Sequence, residues 1–520
     1  MLHTTTILTS GRRCPSKMKQ SAPPHDYLAN KKPSSHLADT IDFILTTTGH
    51  SEDILVRPFS FGRNQTLKAT FIYVEGLCNE DAIEKMISRA KFFDEKEPVF
   101  ESAQQYLEEV GHTETLNCFR PLIDKLFIGY AICVIDGFST PIAVAIPFYK
   151  ERPVSEPMTE KVVRGSREGF VENVRTNISL LRRRIGDEQL WVETKTIGTR
   201  TKTKIMIAYM NDIVDKSILR ELHTRLDRIY TDSVLEDGNI EELIEDQVYT
   251  PFPTVYSTER PDTTAAHLLE GKIAILSDGS PMALIVPALF VQFFHNAEDH
   301  TQRADIGTLI RLLRFLCIFI AMLAPSFYIA ITTFHQELIP TGLLGNLAAQ
   351  QEGTPFPTFV ETLMMEVTFE ILREAGIRMP QPVGQAVSIV GAIVIGQAAV
   401  QAGIVSAAVV IVISITAIAS FVFPTYSIGV PIRILRFGFM ALAASFGLLG
   451  ICIGFTAVLL HLSTLKSFGV PYLKGLSPFI WKDQTDTLFR APKWLMNERP
   501  EATTKSNQTR QRTPKPSPKD

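Results

Sequence analysis

The sequence predicts an α/β cytoplasmic region of two related subdomains followed by an α-helical polytopic membrane domain. Three observations carry this. Lys, Arg, Asp and Glu crowd residues 36–306 and almost vanish from long stretches of 315–461. A strand, helix, hairpin order occurs twice in the charged half. In the apolar half, uncharged runs reach the length that a bilayer core requires. The 520 residues exceed one ordinary core. The averages of 45% hydrophobic and 21% charged look soluble only because they merge two unlike halves. A formal net charge of −3 decides nothing about partners.

Residues 1–35, with "SAPPH" and "KKPSS", read as a disordered tail. The first twenty lack an apolar core, so no cleavable signal peptide is expected, and the soluble half stays where it is made. Subdomain 1 is placed at 36–155 and subdomain 2 at 191–300. "LKATFIYVEG" (67–76) and "TKIMIAYMND" (203–212) are matching apolar strands, each followed by a helical pattern. "YAICVIDGFSTPIAVAIP" (130–147) and "KIAILSDGSPMALIVP" (272–287) are matching hairpins around Asp136-Gly137 and Asp278-Gly279. Asp-Gly between strands signals a tight turn because Gly accepts positive φ. Between the copies, 156–190 reads as a linker with an Arg-rich helix. Phe170, Val171, Val174, Ile178, Leu181 and Ile185 share its apolar face. Arg175, Arg182, Arg183 and Arg184 form either a solvated face or a contact for acidic headgroups or a partner. The six cysteines lack metal or redox spacing and read as reduced packing residues.

The membrane domain is placed at 301–480. "FLCIFIAMLAPSFYIAITTF" (315–334) is uncharged and long enough to span roughly 30 Å. Pro325 should kink it, and Arg303, Arg311 and Arg314 at its start keep the soluble half cytoplasmic. Further spans are expected at about 383–403, 407–423 and 437–461. Residues 355–378 are too charged for a lipid-facing span and too apolar for a loop, and read as a membrane-dipping helix. Four spans keep the basic tail inside but put Arg433 and Arg436 at the outer end of the last one. A fifth crossing by 355–378 reverses both. Four spans plus the dipping helix is the expectation, with Arg433 and Arg436 paired to Glu366 or Glu370 because unpaired charge in a membrane is expensive. Residues 481–520 read as a basic, mostly disordered tail.

The stretch "GAIVIGQAAVQAGIVS" (391–406) carries glycines and glutamines inside an apolar run. Gly384, Gly391 and Gly403 lie on small-residue faces that suit close helix packing. Gln397 and Gln401 share another face. They either hydrogen-bond a neighbouring helix or form a polar front toward water.

Several long motifs are similar to one family: "RGSREGFVENVRTNISLLRRRI", "STERPD", "EGKIAILSDGSPMALIVP", "LIRLLRFLCIFIAMLAPSFYIAIT", "EVTFEILREAGIRMPQPVGQAVSIVGAIVIGQAAVQAGIVS" and "SFGVPYLKGLSPF". In order, from about residue 40 to 480, they resemble the A subunit of the GerA-type spore germinant receptors. The resemblance implies a multi-pass protein of the spore inner membrane with a cytoplasmic N-terminal region. It implies a transporter-like B subunit and a lipoprotein C subunit as partners. It also implies a homo-oligomeric ring forming a nutrient-gated cation channel. With that ring in mind, helix 383–403 is expected to line the axis, with Ile395, Gly396, Gln397 and Gln401 as pore-lining candidates. Glu361, Glu366 and Glu370, with Arg433 and Arg436, would supply a charged mouth or ion pairs.

An enzyme is not expected. No nucleophile elbow, phosphate loop, HExxH or paired Cys is present, and no cofactor, metal or nucleic acid is implied. Asp136 and Asp278 have a turn to explain them, and His295 and His300 read as interfacial. The alternative is a secondary transporter subunit moving ions or small solutes. Such proteins usually carry inverted membrane repeats, and the glycine-rich helix has no second copy.

Overall fold

The computed structural model describes residues 28, 31–61, 67–90, 99–147, 157, 160, 162, 164–379, 396–480, 483–501, 503–504 and 507–516. They form two compact units, 1–150 with 186–192, and 151–185 with 193–520, and each is described by itself.

In the first unit the order is α1 (Leu37–Thr47), β1 (Ile54–Phe61), β2 (Leu67–Val74), α2 (Glu80–Ala90), α3 (Val99–Glu108), β3 (Thr113–Thr115), α4 (Phe119–Leu126), β4 (Tyr130–Ile135) and β5 (Ile142–Ala145). The strands pair antiparallel in the order β1-β2-β4-β5-β3. Both faces are covered. Phe71, Cys133 and Val144 enter one core, and their neighbours Ile72, Ile132 and Ala143 enter the other. Alternation across a sheet covered on both sides explains why β2 and β4 read as unbroken apolar runs.

The second unit opens with α5 (Val174–Arg184), β6 (Leu190–Ile197, whose first three residues are grouped with the first unit), β7 (Thr203–Met210), α6 (Lys216–Arg228), α7 (Asp237–Ile244), β8 (Tyr256–Thr258), α8 (Pro261–Leu268), β9 (Ile273–Ser277) and β10 (Ala283–Val286). Its sheet order, β6-β7-β9-β10-β8, repeats the first. The turns repeat as well. Gly137 and Gly279 take φ of +89° and +97°, the region where only glycine is unstrained. Asp136 accepts from the first helical N–H of α1, at Leu37, and Asp278 from that of α5, at Val174, each at 3.3 Å. A carboxylate there answers an N–H left without a partner at a helix start.

This corrects the expected linker. The helix at 174–184 is the counterpart of α1 and the first element of the second copy. Nor is its basic face simply solvated. Arg182 is 1% exposed, and Arg184 donates to Glu168 at 2.5 Å and Ser166 at 2.8 Å.

Helices follow: α9 (Ala304–Thr333), α10 (Thr341–Glu352), α11 (Thr358–Arg378), α12 (Gly396–Gln401), α13 (Ala407–Ser420) and α14 (Tyr426–Thr464). α9 and α14 are long and apolar enough to cross a membrane, and α13 is a shorter apolar helix. α9 begins well before the expected 315 and carries Pro325 inside. The helix α10 was not anticipated. Residues 383–395 of the expected span 383–403 lie outside the described residues, and α12 ends at Gln401. There Gly403, at φ +65°, closes it while Ile404 N returns to Ala399 O at 3.0 Å.

The expected single span 437–461 is corrected too. α14 breaks at Gly447 (φ 60°, ψ −141°). A methyl on Gly450 would overlap the Leu442 carbonyl, and one on Gly454 would strike Phe439 and Leu442. Contacts across that separation require the chain to fold back, so α14 is a hairpin of two helices. Both its ends meet the segment after β10. Thr425 donates to Phe293 O at 3.0 Å, and Phe290 N donates to Tyr472 O at 3.0 Å. Ser467 links Ala288 N to Thr254 O at 2.9 and 2.7 Å. One core accordingly contains Tyr256 and Ile285 of the second sheet together with Ile318, Ile432 and Tyr472.

The expected disordered tail is in contact as well. Arg499 donates to Leu269 O at 2.8 Å and Thr503 to Glu270 O at 2.5 Å.

Candidate functional site

In the helical layer, α11 buries Glu361, Thr362 and Glu366. Glu366 and Glu370 are four apart and share a face, as do Arg433 and Arg436, three apart on α14. Glu366 meets Arg436 in an ion pair with both side chains at most 1% exposed. Glu370 meets Arg433 at 3.1 Å, half-buried. As numbers rise on α11 they fall on α14, so the two helices run antiparallel along this ladder. Arg436 also donates from Nε to Ala321 O at 2.6 Å, tying α9 to the pair. Two apposed charges removed from water hold the three helices in one register, because shifting either helix leaves a buried charge alone.

Glu361 does something different. One carboxylate oxygen accepts from Thr354 Oγ1 and the other from Ser406 N at 3.2 Å. Ser406 is the N-cap of α13, so this buried carboxylate lies at a helix start, where negative charge is favoured. The structure therefore separates Glu361 from the two arginine-paired glutamates.

Among the pore-lining candidates, Ile395 lies outside the described residues, as do the packing glycines Gly384 and Gly391. Gly396 is buried and faces Val410 of α13, whereas Gln397 and Gln401 are exposed on the same short helix. Gly403 lies past the helix end, its Cβ position 3.2 Å from Gly353 O.

A second charge cluster escaped the sequence reading. Asp299, 2% exposed, accepts from Arg314 at 2.7 Å and lies 3.4 Å from Arg311. Arg311 also reaches Asp486 at 3.2 Å. This joins the 3₁₀ turn Ala297–His300, the first turns of α9 and the C-terminal segment. The signal was available: two arginines three apart on an apolar helix must either face water or be paired.

Two-copy α/β architecture joined to an apolar helical layer with paired internal charges defines a class of multi-helix protein built to sit at a membrane. Comparison with known proteins specifies it further. Residues 42–502 match the family model described as Bacillus/Clostridium GerA spore germination protein, and the chain belongs to that family. It is 45% identical to "Spore germination protein KA" of Bacillus subtilis (strain 168), over 92% of this chain and 88% of that protein. It is 39% identical to "Spore germination protein GerLA" of Bacillus cereus, over 90% and 95%. It is also 40% identical to "Uncharacterized membrane protein YfkQ" of Bacillus subtilis (strain 168), over 91% and 92%. Among solved structures it is similar to the N-terminal domain of the A subunit of the Bacillus megaterium spore germinant receptor GerK3. That match has 33% identity and a TM-score of 0.42, and covers 51% of this chain and 99% of that one.

Proposed function

We propose that this chain is the A-type membrane subunit of a nutrient-germinant receptor in spores, and that several copies form a nutrient-gated cation channel that starts germination. Family membership and the printed names of the relatives support the germination role. The reading places the chain in the spore inner membrane, with the two α/β copies in the cytoplasm. A transporter-like B subunit and a lipoprotein C subunit are its partners. Subdomain 1 would occupy 36–155 and subdomain 2 would reach to about 300, with α5 counted in the second. Exposed Ile411, Ile415 and Ile418 give α13 an apolar outer face suited to lipid or a neighbouring copy.

The observation that carries the channel reading is the division of α12, with Gly396 packed and Gln397 and Gln401 exposed. Uncharged amides offer oxygen dipoles to a cation without trapping it. The test is conductance across a planar bilayer containing the chain with its B and C partners. Gln397→Cys and Gln401→Cys should make nutrient-triggered current sensitive to a charged thiol reagent, while Ile411→Cys should not. A current that persists untouched in both glutamine variants removes α12 from the pathway. No nutrient-triggered current at all removes the channel.

A further inference from the structure

A cavity of about 310 Å3 lies in the second unit between α8, the 295–301 segment that leads into α9, and the C-terminal segment. Most of its lining surface is apolar, but six charged side chains reach it, and their charges are unequally satisfied. Each lining carboxylate already has an arginine. Asp262 is held by Arg260 at 2.6 Å, Asp486 by Arg311 at 3.2 Å and Glu270 by Arg510 at 3.6 Å. The lining ammonium groups are different: among the described residues, neither Lys474 nor Lys493 has a carboxylate within ion-pair distance. His300 adds a buried Nδ1 that lacks a hydrogen-bond partner. Lys493 is exposed overall, and partial loss of solvent around it, with the neighbouring Arg510 guanidinium, lowers its ammonium below the usual range.

We propose that this cavity is a binding site for a small oxyanion, a phosphate group or a carboxylate, held between Lys474 and Lys493 with Arg510 at its edge. An anion here pairs the two free ammonium groups and offers an acceptor to His300 if Nδ1 carries the proton. It also bridges three separate stretches of chain, so occupancy stabilises the attachment of the C-terminal segment to the second copy. The site is independent of whether the helical layer conducts ions.

The chemistry fits a free anion or a lipid headgroup phosphate, and the test separates them. Thermal unfolding of the full chain in uncharged detergent is followed against inorganic phosphate, with sodium chloride at matched ionic strength as the reference. A saturable rise in midpoint is expected with phosphate alone. Lys474→Gln with Lys493→Gln should weaken apparent affinity by about tenfold or more, the scale of losing charged hydrogen bonds. Lys493→Arg should retain binding, and Lys466→Gln, elsewhere on the surface, should change nothing. If free phosphate has no effect, but nanodiscs of phosphatidylcholine with phosphatidylglycerol stabilise the parent and not the double variant, the anion comes from lipid and the site stands. Equal phosphate response in parent and double variant overturns it, as does no lysine-dependent response to either phosphate or phosphatidylglycerol.

Discussion

The two α/β copies share strand order, turn chemistry and even the aspartate that caps their first helix, yet they end differently. In the first copy, the helix before the paired hairpin closes with Lys125 bonded to the nearby Glu114 at 2.7 Å, a partly exposed pair. In the second, the corresponding stretch sets half-buried His267 and Glu270 beside the fully buried Lys272, and the chain beyond β10 enters a core shared with the helices. The shared parts are those that any copy needs to close its sheet. The parts that diverge are those by which the second copy is attached to something else. Duplication thus supplied a scaffold twice, and burial of charge marks where one of the two acquired a joint.

The joint should break most severely at Asp299. Asp299→Asn leaves Arg311 and Arg314 without their shared carboxylate, and removing one partner of a buried pair costs about 3–5 kcal/mol. Thermal or denaturant unfolding of the detergent-solubilised chain should show the loss, and adding Arg314→Leu should recover part of it. A change within measurement error would mean that the cluster is wetter than its burial indicates.

Smaller effects are expected at the shared feature. Asp136→Ala and Asp278→Ala each remove a helix-capping carboxylate, for about 1 kcal/mol apiece. Measured side by side, similar losses sharpen the equivalence of the copies. A loss at one position alone shows that the two turns have separated in role despite their common geometry.

The mildest expected difference is in pH. Burial, with the adjacent Lys272 ammonium, lowers the His267 imidazole to about 4. A folded value below the unfolded one of about 6.5 means that the unfolded chain takes up the proton first, so stability falls as pH drops from about 6.5 toward 4. Glu270, lowered to about 2 against its own burial by His267 and Lys272, contributes a further loss only below about 4.5. Hydrogen exchange followed from pH 7 to 5 should weaken protection around α8 in the parent and not in His267→Leu. Equal weakening in both would assign the effect elsewhere.

Periodicity and turn chemistry made much of this legible. The Asp-Gly pairs and the apolar runs of β2, β4, β7 and β9 placed both sheets, because a tight turn and a sheet buried on both faces leave local marks. The pairing of Arg433 and Arg436 with α11 followed from the cost of lone charge in an apolar layer, and the structure brings those residues together. What was not legible depended on distant partners. The sequence leaves the arginines at 182–184 either solvated or in contact with headgroups or a partner, and only the packing of α5 shows Arg182 to be buried within its own chain. Nothing local announces that Arg311 will find Asp486 from the far end of the chain. The fold-back in α14 had a signal that went unused. Residues 426–464 exceed one crossing by far, Gly447 carries the break, and Gly450 and Gly454 are where the returning helix meets the Leu442 carbonyl and the Phe439 and Leu442 side chains.

That fold-back has a consequence for parity. Read as membrane helices, one long rod would deliver everything after it to the opposite compartment, whereas two short ones return it to the side from which it came. The choice rests on the torsions of Gly447, which places its own missing side chain against Phe334 and His335. The fold-back at this methyl-free position is followed by a C-terminal segment whose Asp486 lies 3.2 Å from Arg311 on α9.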